Sequence, residues 1–520
     1  MGDKYSDYSF IAVYNKDAEF QWQVSGPENT SFKQRVWNVH MATDGSVYGL
    51  GRFSGVEDFK PGSAKRELTS GPLGSMYIQK FDKDGDFLWA VATPFPGIPY
   101  ESIERPNGNL LIAGDNSADT TILLKNGSTA TMYQGVFVLE IDKDGNFINA
   151  GSSKGGANTH YHDIRLDASG NVYVCGAYDG TLDVDLGPNE TLQSTTRAID
   201  AFVVAYDKDL KYKWHKAFGD VGTNPPSWDK AQGLYVASNG DVYVSGRFTY
   251  SVDFDPVDNP GKTVLVAETR SQSPDGFIMK YSSTGALQWV KQIGGDAQKN
   301  SWNTDVDIYH MVSDGKYLYV AGELTGVGDF DPSAAEYIMH AEDGATCMWY
   351  GQYTLDGEFE KAFIIDDTID IAFKSGYEIC TDIEIMDGSL YAYGTFQKHV
   401  DFDPGSGLKI LSCDSTGANY AGDNDIFIAK WQMINSVGID PMNAQKFGIY
   451  PNPASHVLNI ANPYSNVSSY SITDINGRIL LRGTLTSMIN SIDINPLANG
   501  MYYVQIQNGE QVLTEKLMVR

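Results

Sequence analysis

The sequence predicts an all-β chain: a β-propeller of six blades, alternatively seven, followed by a small seven-stranded Ig-like β-sandwich. Three observations predict it. Glycine-bearing hairpin turns recur along the chain, apolar strands ending in Trp recur between them, and 53 Gly, 31 Tyr and 23 Phe suit many short strands joined by tight turns.

The first hairpin signature is a turn with Gly before a strand that itself ends in Gly. It appears at Asp44-Gly45, Asn107-Gly108, Ser169-Gly170, Asn239-Gly240, Asp314-Gly315 and Asp387-Gly388. Asn-Gly and Asp-Gly tolerate the positive φ that tight hairpins need. The second signature is an apolar strand, an Asp-rich turn and a strand carrying Trp, from Phe10 to Trp22, Tyr77 to Trp89, Phe202 to Trp214 and Phe277 to Trp289. Degraded copies run from Phe137 to Ile148 and from Trp349 to Phe359. Two hairpins make one four-stranded sheet, and a sheet every ~60–75 residues without helical periodicity reads as propeller blades. Residues 1–433 form the propeller in this reading, 434–446 a linker and 447–520 the sandwich. The hairpin Phe10 to Trp22 has no partner in its own repeat and is expected to close the ring against the last blade.

Trp22, Trp89, Trp214 and Trp289 hold one place in each repeat and read as packing between blades. Their spacing resembles the tryptophan-docking repeat of quinoprotein-like propellers and departs from the sialidase Asp-box. Cys175 lies in an apolar run and reads as a packed thiol.

A further element follows the first hairpin of most repeats. It reads Asp253-Phe254-Asp255-Pro256, Asp329-Phe330-Asp331-Pro332, Asp401-Phe402-Asp403-Pro404 and, loosely, Asp183-Val184-Asp185. Strand alternation puts both carboxylates on one side and the apolar residue in the core. Strand termination explains the pattern, and calcium held through these carboxylates is the alternative. Lys60 replaces the second carboxylate in the first repeat, where an ammonium opposes a cation. The turns at Asp82–Asp86 and Asp142–Asn146 begin like EF-hand loops but do not complete one.

With 66 acidic against 38 basic side chains, the formal charge of −28 opposes nucleic acid as a partner. No stretch reaches the ~20 apolar residues of a transmembrane helix. A native signal peptide is read as absent from this chain. No nucleophile elbow, Walker loop or zinc-protease motif occurs, and the histidines are scattered apart from the pair His160 and His162, whose rings share a face on a strand. The propeller is therefore expected to bind glycan, protein or a surface, as an adhesin does. A secreted glycoside hydrolase or lyase is the alternative, and a close cluster of acids or histidines at the axis would favour it.

Beyond the linker the residues carry a specific resemblance. Tyr450-Pro451-Asn452-Pro453 opens a strand, Asn476-Gly477 makes a central hairpin, and Gly500-Met501-Tyr502-Tyr503 precedes a last strand containing Lys516 and Val519. In that order and at the C-terminus, these motifs resemble the type A sorting domain of the Bacteroidetes type IX secretion system. The resemblance implies export across the outer membrane to the surface or medium, with the translocon and its outer-membrane shuttle barrel as partners. It says nothing about what the exported body does.

Overall fold

The computed structural model describes residues 10–25, 35–60, 65–155, 159–187, 189–220, 227–267, 273–295, 304–341, 346–365, 379–397, 399–404, 409–413, 424–432, 448–450, 454–461, 468–474, 477–486, 489–508 and 511–520. Glycine turns set its strands. Gly45, Gly108, Gly170, Gly240 and Gly315 hold φ between +79° and +85°, a region that costs an L side chain ~1–2 kcal/mol. Each of these turns joins the first two strands of one antiparallel sheet, and the Asp-rich or Ser-rich turn of the same repeat joins the last two.

Among the described residues the sheets follow one another in chain order. Arg35–Met41, Val47–Phe53, Ser75–Phe81 and Phe87–Ala92 make the first, each strand paired with the next. The second to fifth repeat that pattern, opening on Gly97–Glu104, His160–Leu166, Lys230–Val236 and Asp305–Ser313, and the fourth is extended by Val327–Asp329 and Ile338–His340. The sixth contains Ile379–Met386, Ser389–Phe396 and Asp425–Gln432. Opening strands of consecutive sheets lie against one another from the first sheet to the sixth, the succession expected of propeller blades. The chain divides into two compact units, one of residues 1–362, 379–394 and 427–431, the other of 363–378, 395–426 and 432–520.

Sheet-to-sheet contacts in the first unit use the repeated Trp. The Nε1 of Trp89 donates to the Lys143 carbonyl at 2.9 Å and that of Trp214 to the Ser283 carbonyl at 3.2 Å, each in the turn of the following sheet. Trp289 lies over Gly357 of the fifth sheet's turn, where a Cβ would meet its ring at 3.0 Å. Hydrophobic clusters run between neighbouring sheets, as where Tyr173, Val203 and Ala205 of the third meet Leu234, Val242 and Val244 of the fourth. Cys175, Cys347 and Cys380 are buried.

The hairpin of Phe10–Tyr14 and Phe20–Ser25 forms a two-stranded sheet of its own. Its Trp22 Nε1 donates to Lys83 O of the first sheet at 3.0 Å. Its Lys16 carbonyl accepts from Tyr391 Oη at 3.1 Å and Lys430 Nζ at 3.0 Å, both in the sixth sheet. The hairpin thus touches the first and last sheets through its turn and its Trp.

The second unit ends in seven strands arranged as two sheets. Gly448–Tyr450, Val457–Ala461 and Ile489–Asp493 make one; Ile479–Leu485, Ser468–Asp474, Gly500–Asn508 and Gln511–Val519 make the other. Period-two alternation fills the space between them with Ile449, Leu458, Ile460, Ile472, Tyr502, Val504, Ile506, Leu517 and Val519.

Candidate functional site

The structure locates a site through one backbone irregularity that repeats. In the second strand of each of the first five sheets a glycine faces a bulge in the opening strand. The ladder skips Trp37, Tyr100, His162, Gln232 and Tyr309. The glycines opposite are Gly51, Gly114, Gly176, Gly246 and Gly322. At the last four a Cβ would run into a main-chain carbonyl, that of Ile98, His160, Lys230 or Asp307. Gly394 of the sixth sheet meets the Ile379 carbonyl in the same way. Bulges re-aim side chains and are enriched beside functional sites. Here they present two tiers. The bulged residues are Trp37, Tyr100, His162, Gln232 and Tyr309, all planar side chains. The residues after them are Asn38, Glu101, Asp163, Gly233 and His310, with Asp382 equivalent in the sixth sheet.

The second tier converges on one space. Each member leans on the next sheet: Asn38 Oδ1 accepts from Ser102 Oγ at 2.5 Å, Asp163 Oδ2 accepts from the Leu234 N–H at 2.7 Å, and His310 Nδ1 lies 3.2 Å from Asp382 Oδ1. Gly233 lies against the His310–Met311 backbone, where a Cβ would come within 3.0 Å. Charges also couple across the space. Arg165 pairs with Asp163 and feels Glu101, Asp382 and Glu384, which belong to the second and sixth sheets. Burial, then Asp163 and Asp382, push the Glu101 carboxyl up to about 8. Burial likewise holds Asp163 above its ordinary range, against the pull of Arg165, and lowers His310. Acids that resist ionisation beside a guanidinium and an imidazole can bind hydroxyl-rich ligands and move protons.

A pH dependence follows. Glu101 is raised above its ordinary 4.5, so the folded state holds a proton that the unfolded chain releases. Its stabilising contribution is complete below that value and is lost as pH rises towards about 8. Glu101→Gln mimics the protonated acid, so its stability relative to the parent chain should be greater at pH ~8 than at pH ~5. Urea unfolding at the two values checks this, and parallel behaviour of the two proteins would contradict it.

The first tier forms the rim. Trp37 is 42 % exposed, and its ring meets Tyr100 edge-on at 6.2 Å between centroids. Tyr100 Oη donates to Asp115 Oδ2 at 3.1 Å, and His160 Nδ1 lies 3.0 Å from the same oxygen. Tyr309 Oη donates to Glu323 Oε2 at 3.0 Å and to Asp307 Oδ2 at 3.3 Å. The bulge breaks the alternation expected for His160 and His162: His160 turns to Asp115, while the Nε2 of His162 is buried without a partner.

The Asp-Phe-Asp elements lie apart from this space. Phe254 and Phe330 are buried, as is Val184, and Phe254 packs on Phe218, Phe248 and Phe277. The strand ends at the first Asp, so alternation does not govern the second carboxylate. Instead the first Asp caps a loop. Asp183 Oδ1 accepts from the N–H groups of Asp185 and Thr191 at 3.1 and 2.9 Å. Asp329 does so from Asp331 and Tyr337 at 3.1 and 2.9 Å. Asp401 does so from Asp403 and Lys409 at 3.0 and 2.7 Å. Asp253 divides the task, with Asp255 N on Oδ1 and Gly261 N on Oδ2 at 3.2 and 2.6 Å. Backbone amides thus engage one carboxylate oxygen of Asp183, Asp329 and Asp401 and both of Asp253, while Asp255 Oδ1 is buried without a partner. Among the described residues no three His, Cys, Asp or Glu side chains form a set able to hold a metal ion. Asp253→Ala should cost ~2 kcal/mol by orphaning buried amides, while chelators should leave the melting temperature unchanged; a chelator-sensitive melt would return the cation reading.

In the C-terminal unit Tyr450 pairs with Asn459, and Gly477, at φ +80°, donates its N–H to the Asp474 carbonyl at 2.9 Å. Pro451, Asn452, Pro453 and Asn476 lie outside the described residues. Tyr502, after Gly500, is buried and donates to the Ala498 carbonyl at 2.7 Å. Tyr503 and Lys516 pair across two strands and face outward, while Val519 is buried. A family model described as "Secretion system C-terminal sorting domain" matches residues 448–520. This segment is a type IX sorting domain. The sorting domain marks the chain as a cargo exported across the outer membrane to the surface or medium, and it is the part read by the secretion machinery. No helix of the described residues is long and apolar enough to cross a membrane.

No curated protein matches the chain. Among solved structures, it is similar to the extracellular domain of a one component system from B. thetaiotaomicron. The identity is 10 %, with 98 % of this chain and 84 % of that one covered and a TM-score of 0.16. It is also similar to a mutant NanB sialidase from Streptococcus pneumoniae at 11 % identity, with 71 % and 66 % covered and a TM-score of 0.23.

Proposed function

We propose that the body is an exported glycan-binding propeller whose ligand enters the axial mouth. The arrangement that carries this reading is the repeated bulge. It sets planar side chains around a rim and places Asn38, Glu101, Asp163, His310 and Asp382 beneath them, aromatic faces for sugar rings above polar groups for hydroxyls. The N-terminal hairpin closes the ring between the last sheet and the first, and residues 434–446 link the propeller to the sorting domain. The cargo passes the type IX translocon with its outer-membrane shuttle barrel and works at the surface or in the medium, as an adhesin does.

A second reading rests on a specific observation. Burial and the neighbouring Asp163 and Asp382 raise the Glu101 carboxyl to about 8, and His310 lies 3.2 Å from Asp382, a close cluster of acids and a histidine of the kind a glycoside hydrolase uses. One experiment sorts the two. The chain is incubated with a panel of polysaccharides, and both retention and released oligosaccharides are measured. Retention without release supports the binder; release abolished by Glu101→Gln, with retention intact, supports the hydrolase. Neither retention nor release on any glycan would contradict both.

A further inference from the structure

The acidic chain sets two basic side chains side by side at one sector of the mouth. Lys230 and Arg247 are direct cross-strand partners in the fourth sheet. Like charges set opposite one another repel, and sheets normally avoid the pairing. The charge that weighs most on Lys230 is Arg247, not an acid. Arg247 directs one terminal nitrogen to both oxygens of Asp307, at 3.1 and 2.8 Å. Its Nε stays buried with no partner. From the third sheet His162 joins them. Its Nε2 is also buried without a partner, and the charged groups around it are Lys230, His160 and Arg247.

Acids nearby offset this charge in part: Asp307 acts on both Lys230 and Arg247, and the Oδ1 of Asp305 is itself buried without a partner. Asp307 is taken by Arg247 and by Tyr309. Glu323 accepts from Tyr309 and is pushed up to about 7 by burial. Asp305 acts on Arg247 from further along the same strand. A buried donor without an acceptor is costly, and Arg247 Nε is one in the sector that holds Lys230; His162, held neutral by burial, offers a second in the tautomer that carries its proton on Nε2. Two residues before Lys230 in the chain, Trp228 is 49 % exposed.

Resting on the glycan reading above, we infer that this sector binds the anionic group of an acidic sugar. Lys230, Arg247 Nε and His162 receive the carboxylate or sulfate, and Trp228 packs on the sugar ring. An anion supplies the acceptors that these donors lack and relieves the Lys230–Arg247 repulsion. Arg and Lys differ usefully in the pair: the guanidinium is held in one orientation by Asp307, and the ammonium can follow the anion.

The test uses the full chain and calorimetric titration with three probes: a galacturonate oligosaccharide, a sulfated oligosaccharide and a neutral oligosaccharide of similar length. The acidic probes should bind at least tenfold more tightly than the neutral one, with an affinity that falls as salt rises. Which of the two wins distinguishes carboxylate from sulfate as the source of the anion. Lys230→Gln removes a repelled charge and should fold normally; it should bring the acidic-to-neutral ratio close to one. Equal affinity for all probes, or a ratio unmoved by Lys230→Gln, would overturn the inference while leaving the glycan reading in place. Binding of none of them, with no other glycan retained, would overturn both.

Discussion

Alanine at Gly246 is expected to destabilise the body by ~3 kcal/mol or more, enough to be seen as a large fall in melting temperature or as insoluble protein. The cause is backbone against backbone. A Cβ on Gly246 would sit inside the Lys230 carbonyl, with the Phe277 ring at 3.0 Å behind it. No side-chain rotation relieves such a clash, so either the bulge or the ladder must open. Gly127→Ala is the matched control. That glycine has φ +83° with open space around it, so alanine there costs only the left-handed backbone penalty, ~1–2 kcal/mol. Thermal unfolding of both variants checks the contrast. If Gly246→Ala proved as mild as Gly127→Ala, the bulge would not be the fixed feature that positions the mouth.

Removing the sorting domain should abolish export. Its core draws on Ile449, Leu458, Ile472, Val504 and Leu517, all within the segment that matches the sorting-domain model. A chain ending before Phe447 leaves those apolar residues out together, without exposing half of a shared cluster. That chain should accumulate in the periplasm of a host with a working type IX system, with its amount in the medium or at the surface reduced at least tenfold. Fractionation and immunodetection measure it. Efficient secretion of the truncated chain would contradict the assignment.

The contrast between what the sequence made legible and what it hid has a physical basis. Turns were legible because positive φ restricts residue choice, as at Gly45, Gly170 and Gly240. The sorting domain was legible because its strands alternate strictly, so Tyr502, Val504 and Ile506 fall inside together. The mouth was not. A bulge shifts register by one residue, and alternation read through it assigns faces wrongly, which is why His160 and His162 looked like a pair. The clue was present in the glycine within the second strand of these sheets, at Gly114, Gly176, Gly246, Gly322 and Gly394. Its meaning depends on which carbonyl lies opposite, and that is a tertiary fact. In the Asp-Phe-Asp elements Asp253 and Asp329 bond the backbone two and eight residues ahead, and each strand stops one residue before the aromatic, so alternation does not reach the second carboxylate.

Binding at the axial mouth is the central claim, and Trp37 with Tyr100 offers the most direct test. Both side chains stand at the rim, and Trp37 is already substantially exposed, so truncating them should spare the fold. The measurement is the affinity of the full chain, by calorimetric titration, for the tightest glycan found in the panel, before and after Trp37→Ala combined with Tyr100→Ala. Loss of two stacking surfaces at ~1 kcal/mol each predicts a fall in affinity of at least tenfold at an unchanged melting temperature. Equal affinity in the folded double variant would place the ligand elsewhere and contradict the account.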